Sequence, residues 1–286
     1  MQVERKQACL DCRDAAYLSL FAKATTITHA SSHTPLKINN RRMKRLIISI
    51  TAAIFGAGLY AQDAMEILDK IDKNMSADSR IVESTMVVHG RRNDRTMTAK
   101  SYTMGDKKSF TEYLSPARDK GTKMLKLENE LWMYSPATDR TIMISGHMLR
   151  QSLMGSDLSY EDMMDDRKLQ EVYTAVITGE EEIDGRKCYV MELTAKVSDA
   201  AYHSKKLWVD TERLIPLKEE LYAKSGQLLK RILLSDVKKI EGRWFPTKMN
   251  YKDMLKEGDG TDWLIDTIQF DKTIPEHIFS KASLKQ

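Results

Sequence analysis

Two hydrophobic periods divide the chain. From Ala64 to Met75 the apolar residues Ala64, Ile67, Leu68 and Ile71 recur at three- and four-residue spacing, with Asp63 before them as a cap, which predicts one amphipathic helix. After Asp78 the period shortens to two. Thr96–Met104, Ser109–Leu114, Lys123–Leu127, Leu131–Ser135 and Arg140–Ile144 are short strand-like runs separated by Gly, Pro, Asn or Asp. Further on, Asp184-Gly185 lies between Glu180–Ile183 and Lys187–Thr194, Ser225-Gly226 between Leu217–Ala223 and Leu228–Val237, and Glu241-Gly242 just before Arg243–Tyr251. Turns this short join antiparallel neighbours, because a parallel crossover needs a dozen or more residues. About ten strands in this arrangement predict a meandering antiparallel sheet large enough to curl.

Ser145–Leu169 breaks the pattern. An insertion of this length inside a compact domain is usually a lid or binding loop, and Met148, Leu149, Leu153 and Met154 give it a broken apolar stripe, so it is expected to cover one face of the sheet. Fifteen of the 225 residues from Gln62 onward are Met. Met143, Met148, Met154, Met163 and Met164 gather around the insertion, where flexible side chains suit an apolar ligand of variable shape as well as they suit a core. Trp132 and Tyr134, two apart on one strand, are expected to point with Leu149, Leu153 and Met154 into an apolar cavity. Alternation fixes the set but not its direction, so Leu131 and Met133 are the alternative pair.

The segment Met43–Ala61, MKRLIISITAAIFGAGLYA, reads as a secretory signal: Lys44 and Arg45 give a positive start, Leu46–Tyr60 an uncharged apolar run, and Ala61 a small residue at the cleavage point. Its apolar run falls short of the roughly twenty residues that span a bilayer. Residues 1–42 are then an over-long gene start or a discarded extension, and 62–286 a single exported domain. No Cys follows the cleavage region to accept a lipid. The whole chain carries 45 Lys and Arg against 41 Asp and Glu, but residues 1–61 hold 9 and 3 of these, leaving 36 against 38 beyond. A nearly neutral domain with interspersed signs offers no stripe for nucleic acid. Cys188 is the one cysteine of that domain, so it forms no internal disulfide and is expected as a buried small hydrophobe on a strand.

Little in the sequence points to catalysis. His89, His147, His203 and His277 stand at no metal-ligand spacing, and no GxSxG elbow, P-loop or GxGxxG fingerprint occurs. Asp157, Glu161, Asp162, Asp165 and Asp166 could form a carboxylate pair or cation site; they read instead as a solvated, acid-rich helix start after Ser159. No enzyme, cofactor or metal is expected.

The runs LWMYSPATDRTIMISG (131–146) and LMGSDLSYEDM (153–163) resemble the paired signature of the outer-membrane lipoprotein-sorting protein family, relatives of the periplasmic lipoprotein carrier LolA. LWVDTERLIPLKEELYAKSGQLLK (207–230) and IPEHIFSKASL (274–284) are similar to the same family. The resemblance implies a mainly β fold with some α: a strongly curved antiparallel half-barrel, with an N-terminal helix and a helical or loop lid over an apolar concave face. It further implies a monomeric periplasmic carrier of lipoprotein or lipid acyl chains, meeting an inner-membrane exporter and an outer-membrane receptor, with a lid held closed by an arginine. Arg140 and Arg150 are candidates by proximity. The ligand site expected on these grounds is Trp132, Tyr134, Met143, Met148, Leu149, Leu153, Met154 and Met163. A non-carrying accessory protein docked to an envelope exporter is the alternative.

Overall fold

The computed structural model of the protein describes residues 63–286. The expected signal at 43–61 and the extension at 1–42 lie outside the described residues. Helix α1 covers 63–75 and already contains Asp63, the expected cap. Its apolar face behaves as the spacing demands: Ala64, Ile67, Leu68 and Ile71 are buried against Tyr173, Ala175, Met191, Leu193, Leu207 and Val209. Each fully buried aliphatic side chain of this kind stabilises by about 1.5–3 kcal/mol before conformational entropy is counted.

Thirteen antiparallel strands follow. They are β1 Ser79–Val88, β2 Arg95–Met104, β3 Lys108–Ser115, β4 Lys123–Leu127, β5 Glu130–Ser135, β6 Arg140–Ile144, β7 Tyr173–Ile183, β8 Arg186–Ala195, β9 Ser204–Asp210, β10 Pro216–Tyr222, β11 Leu228–Ile240, β12 Arg243–Asp253 and β13 Thr261–Phe270. The expected strands are all present. β1, β9 and β13 are additional, and β7 begins earlier than Glu180.

The sheet order is β6-β5-β4-β3-β2-β1-β13-β12-β11-β10-β9-β8-β7. The chain therefore starts in the middle of the sheet, meanders to the β6 edge, crosses to the far edge at β7, and meanders back until β13 pairs with β1, Arg80 opposite Phe270 and Val88 opposite Thr261. The two edge strands are consecutive in sequence yet unpaired, so the sheet is an open, curved half-barrel and their connection must bridge its mouth. Residues 145–172 do this through short turns of helix: 3-10 turns at Gly146–Arg150 and Leu153–Gly155, α2 at Tyr160–Met164 and α3 at Leu169–Val172. No long helix forms in this crossing segment.

Tight turns set the register. Asp184 and Gly185 have φ of 48° and 74°, the two positive values a type I′ hairpin turn requires. A β-branched side chain resists that conformation even where space is open, as it is around Gly185. Gly185→Val is expected to destabilise the fold by about 1 kcal/mol or more, read as a lowered thermal midpoint; an unchanged midpoint would contradict the turn assignment.

Apolar side chains cover both faces of the sheet. On the concave side lie the α1 cluster and a second cluster under the crossing segment. On the convex side Ile274, Phe279 and Leu284, from the final 3-10 turns Glu276–Phe279 and Lys281–Lys285, cover Phe110 and Leu125. Cys188 is fully buried with Val190, Trp208, Ile215 and Leu217, and burial pushes its thiol pKa up to about 11. It is an unreactive core residue, as its position on a strand implied.

Candidate functional site

A cavity of 850 Å³ opens on the concave side, bounded by α1 and the crossing segment. Its floor follows from strand alternation. Val82 of β1, Leu221 of β10, Ile232 of β11, Phe245, Met249 and Tyr251 of β12, and Trp263 and Ile265 of β13 project into it. The volume falls in the range of small-molecule sites, and the apolar part of the floor on β1 and β10–β13 is continued by Ser101, Thr103, Ser109 and Thr111 of β2 and β3.

Polar bonds from the crossing segment surround this floor. α2 opens with a capping box in which the Ser159 hydroxyl accepts from Asp162 N–H while the Asp162 carboxylate accepts from Ser159 N–H at 2.6 Å. The same carboxylate reaches the sheet: it pairs with the Lys230 ammonium of β11 and accepts from the Tyr202 hydroxyl at 2.6 Å. Burial opposes ionisation of Asp162, but the Lys230 charge and these donors together hold its pKa below the ordinary aspartate value. Asp157, also buried, accepts from Thr261 Oγ1 at 2.9 Å and from Asp253 N–H at 3.0 Å. Asp166 pairs with Arg80 at 2.9 Å and with Lys126 at 3.2 Å. From α1, Asp72 accepts the Leu169 and Gln170 amides at 2.8 and 3.1 Å, satisfying donors at the start of α3.

These bonds correct the expectation of a solvated acid cluster. Ser159 does cap a helix, but Asp157 is buried, Asp162 is largely enclosed, and both are engaged by residues of β11, β12, β13 and the loop before β9. Their partners stand about 40 to 105 residues away, so nothing local in the sequence could have revealed them.

The expected ligand residues divide into two groups. Met148, Leu149, Leu153, Met154 and Met163 gather under the crossing segment against Met97, Met124, Leu131, Ile144 and Tyr160. Met163 also lines the cavity. Trp132 and Tyr134 point the other way, into the convex cluster with Ile274, Phe279 and Leu284, and Lys281 stacks over the Trp132 ring at 3.8 Å. Leu131 and Met133 take the concave positions instead, joining the cluster under the crossing segment. Met143 lies directly opposite Trp132 in the β5–β6 pair, so it shares the convex face, and it is 42% exposed. The physical reason is the C-terminal segment: it supplies an apolar layer on the convex side that accommodates the two aromatics.

Arg140 and Arg150 are both exposed. Arg95, at the start of β2, lies against the crossing segment instead: a Cβ placed on Gly155 would stand 3.4 Å from its Nη2, and its Nε and Nη2 are buried without a hydrogen-bond partner.

Comparison with known proteins places this geometry. A crystal structure of a DUF1329 family protein from Desulfovibrio piger superposes with a TM-score of 0.70 at 25% identity, over 79% of this chain and 99% of that one. An outer membrane lipoprotein-sorting protein domain from Vibrio parahaemolyticus gives 0.69 at 22% identity, over 79% and 100%. A LolA superfamily protein from Nitrosomonas europaea gives 0.65 at 26% identity, over 77% and 98%. No curated protein matches the chain. A family model carrying the description "Uncharacterized protein" matches residues 105–286, from the turn before β3 to Gln286. The chain belongs to the family of that model, and its fold is that of the LolA superfamily.

Proposed function

We propose that the cavity holds acyl chains of a lipid or lipoprotein, and that the protein carries them through the periplasm from an inner-membrane exporter toward an outer-membrane receptor. The observation that supports this most is the 850 Å³ concave cavity with an apolar floor, bordered by a segment that ties the two open sheet edges together. Hydrocarbon held there leaves water, at about 0.8 kcal/mol for each buried methylene. A carrier must also release its cargo. Segment 145–172 meets that need as a lid: it is built of short turns and fastened by discrete polar bonds, which a receptor that prefers the open form can exchange. Arg95, whose Nε and Nη2 are buried near Gly155 without hydrogen-bond partners, fits the latch role that the resemblance assigns to an arginine.

The role is binding rather than catalysis. Asp162, Asp165 and Asp166, aspartates of this segment that line the cavity, are each paired with a basic side chain. Among the described residues no helix is long and apolar enough to cross a membrane. The test is titration of the protein with a fluorescent fatty-acyl probe. Saturable binding that Ile232→Trp abolishes by filling the floor is expected; equal binding by a folded Ile232→Trp variant would contradict the cavity as the site.

A further inference from the structure

We propose that Glu219 makes this cavity selective for amphiphiles bearing an amine, its carboxylate receiving the ammonium while the hydrocarbon lies along the floor. The inference rests on the carrier reading and names the polar end of the cargo.

Glu219 sits on β10 with its side chain in the cavity, its register neighbours being Leu207 of β9 and Ile232 of β11. Both direct neighbours are apolar, while diagonal positions on the same face hold Lys205 and Lys230, the latter paired with Asp162. Burial pushes its carboxyl above the ordinary glutamate range, and only the charge of Lys205 acts against that; no described residue gives it a hydrogen bond. The other inward acids differ. Asp162 has Lys230 and Tyr202, Asp166 has Arg80 and Lys126, and Asp72 has two backbone amides. Lys205, whose charge bears on Glu219, forms no ion pair with it, and its ammonium lies 5.1 Å from the centre of the Tyr173 ring and 6.0 Å from that of Tyr202.

A carboxyl withdrawn from water without a hydrogen-bond partner is costly, and the cost is relieved by a hydrogen-bonded charge of opposite sign. An ammonium on the ligand supplies both the charge and up to three N–H donors. A carboxylate or phosphate at the same position would meet a like charge. An alcohol would gain a hydrogen bond without the ion pair. The order of preference is therefore amine, alcohol, acid.

The test uses the exported chain loaded with a neutral naphthyl fluorescent probe, displaced at pH 7 and constant ionic strength by dodecylamine, dodecanol or dodecanoate. Dodecylamine is expected to displace the probe at a concentration at least tenfold below that of dodecanoate. Glu219→Gln is expected to bring the amine level with the alcohol, because the amide keeps a hydrogen-bonding oxygen but carries no charge. An amine preference that survives in Glu219→Gln, or a wild-type preference for dodecanoate, would overturn the assignment. Failure of all three compounds to displace the probe from folded wild-type protein would overturn the carrier reading itself and the inference with it. Should Glu219→Gln not fold, Lys205→Met provides the independent arm: removing the cation whose charge bears on Glu219 should widen the amine preference, and an unchanged ratio would refute the role of Glu219.

Discussion

Lys230→Met is expected to cost about 3–5 kcal/mol, because it strands the buried Asp162 carboxylate without its counter-charge. Both side chains are almost entirely enclosed, and Asp162 is the point where the capping box of α2, the Tyr202 hydroxyl and the β11 ammonium converge. Asp162→Asn should cost less, since the amide leaves no buried charge of its own, and the double variant should recover part of the loss, giving a coupling energy that the two single changes cannot. The pH dependence has a defined sign. Burial works to raise the Asp162 pKa, Lys230 and the surrounding donors work to lower it, and the net direction is down. The stabilisation is then fully present above the unfolded-state value near 3.9 and disappears as pH falls through the lower folded value. Urea unfolding of the four proteins at pH 7 checks the cycle; an unchanged midpoint for Lys230→Met would contradict the pair as a fastening of the crossing segment.

Leu153→Asp is expected to abolish binding of a fatty-acyl probe and to make residues 145–172 sensitive to protease. Leu153 is 1% exposed, packed with Leu158 and Tyr160 against the concave side chains of β2, β4 and β5. Removing its methyl groups alone would cost about 2–5 kcal/mol, and the introduced carboxylate adds a desolvation penalty. The sheet itself keeps its ladders and its α1 cluster, so far-ultraviolet circular dichroism should change little while binding is lost. Full probe binding by a folded Leu153→Asp variant would separate the crossing segment from the site.

Much of this architecture is legible in the sequence. The 3.6-residue period at Ala64, Ile67, Leu68 and Ile71 identifies both α1 and its buried face, and the Asp184-Gly185 and Glu241-Gly242 pairs mark hairpins whose residues do take positive φ. The long interruption after Ile144 marks the crossing between sheet edges. What alternation cannot reveal are strands covered on both faces. In β1, Ile81 packs into the convex cluster while Val82 faces the cavity, and in β13 Trp263, Leu264 and Ile265 run consecutively, so neither strand displays a clean two-residue period. These two strands pair only through the return of the chain to its starting point.

The site was less legible for a related reason. Trp132 and Tyr134 are the most prominent aromatics near the insertion, and their shared direction follows from strand geometry alone. Which direction that is depends on Ile274, Phe279 and Leu284, about 140 to 150 residues later, which supply the convex layer. The cavity floor draws instead on β10 to β13 and on β1, whose inward residues look like any other alternating strand positions until the sheet curls around them. Asp162 and Glu219 show the same dependence at the level of chemistry: one has acquired partners through the fold and the other has not.

The most direct test of the acyl-chain carrier is mass spectrometry of an organic extract from the protein purified out of the periplasm in its folded form. The account predicts an acyl-chain amphiphile recovered in near-stoichiometric amount and lost from the Ile232→Trp variant. Lipid-free protein that also takes up no acyl chain when offered one would contradict it.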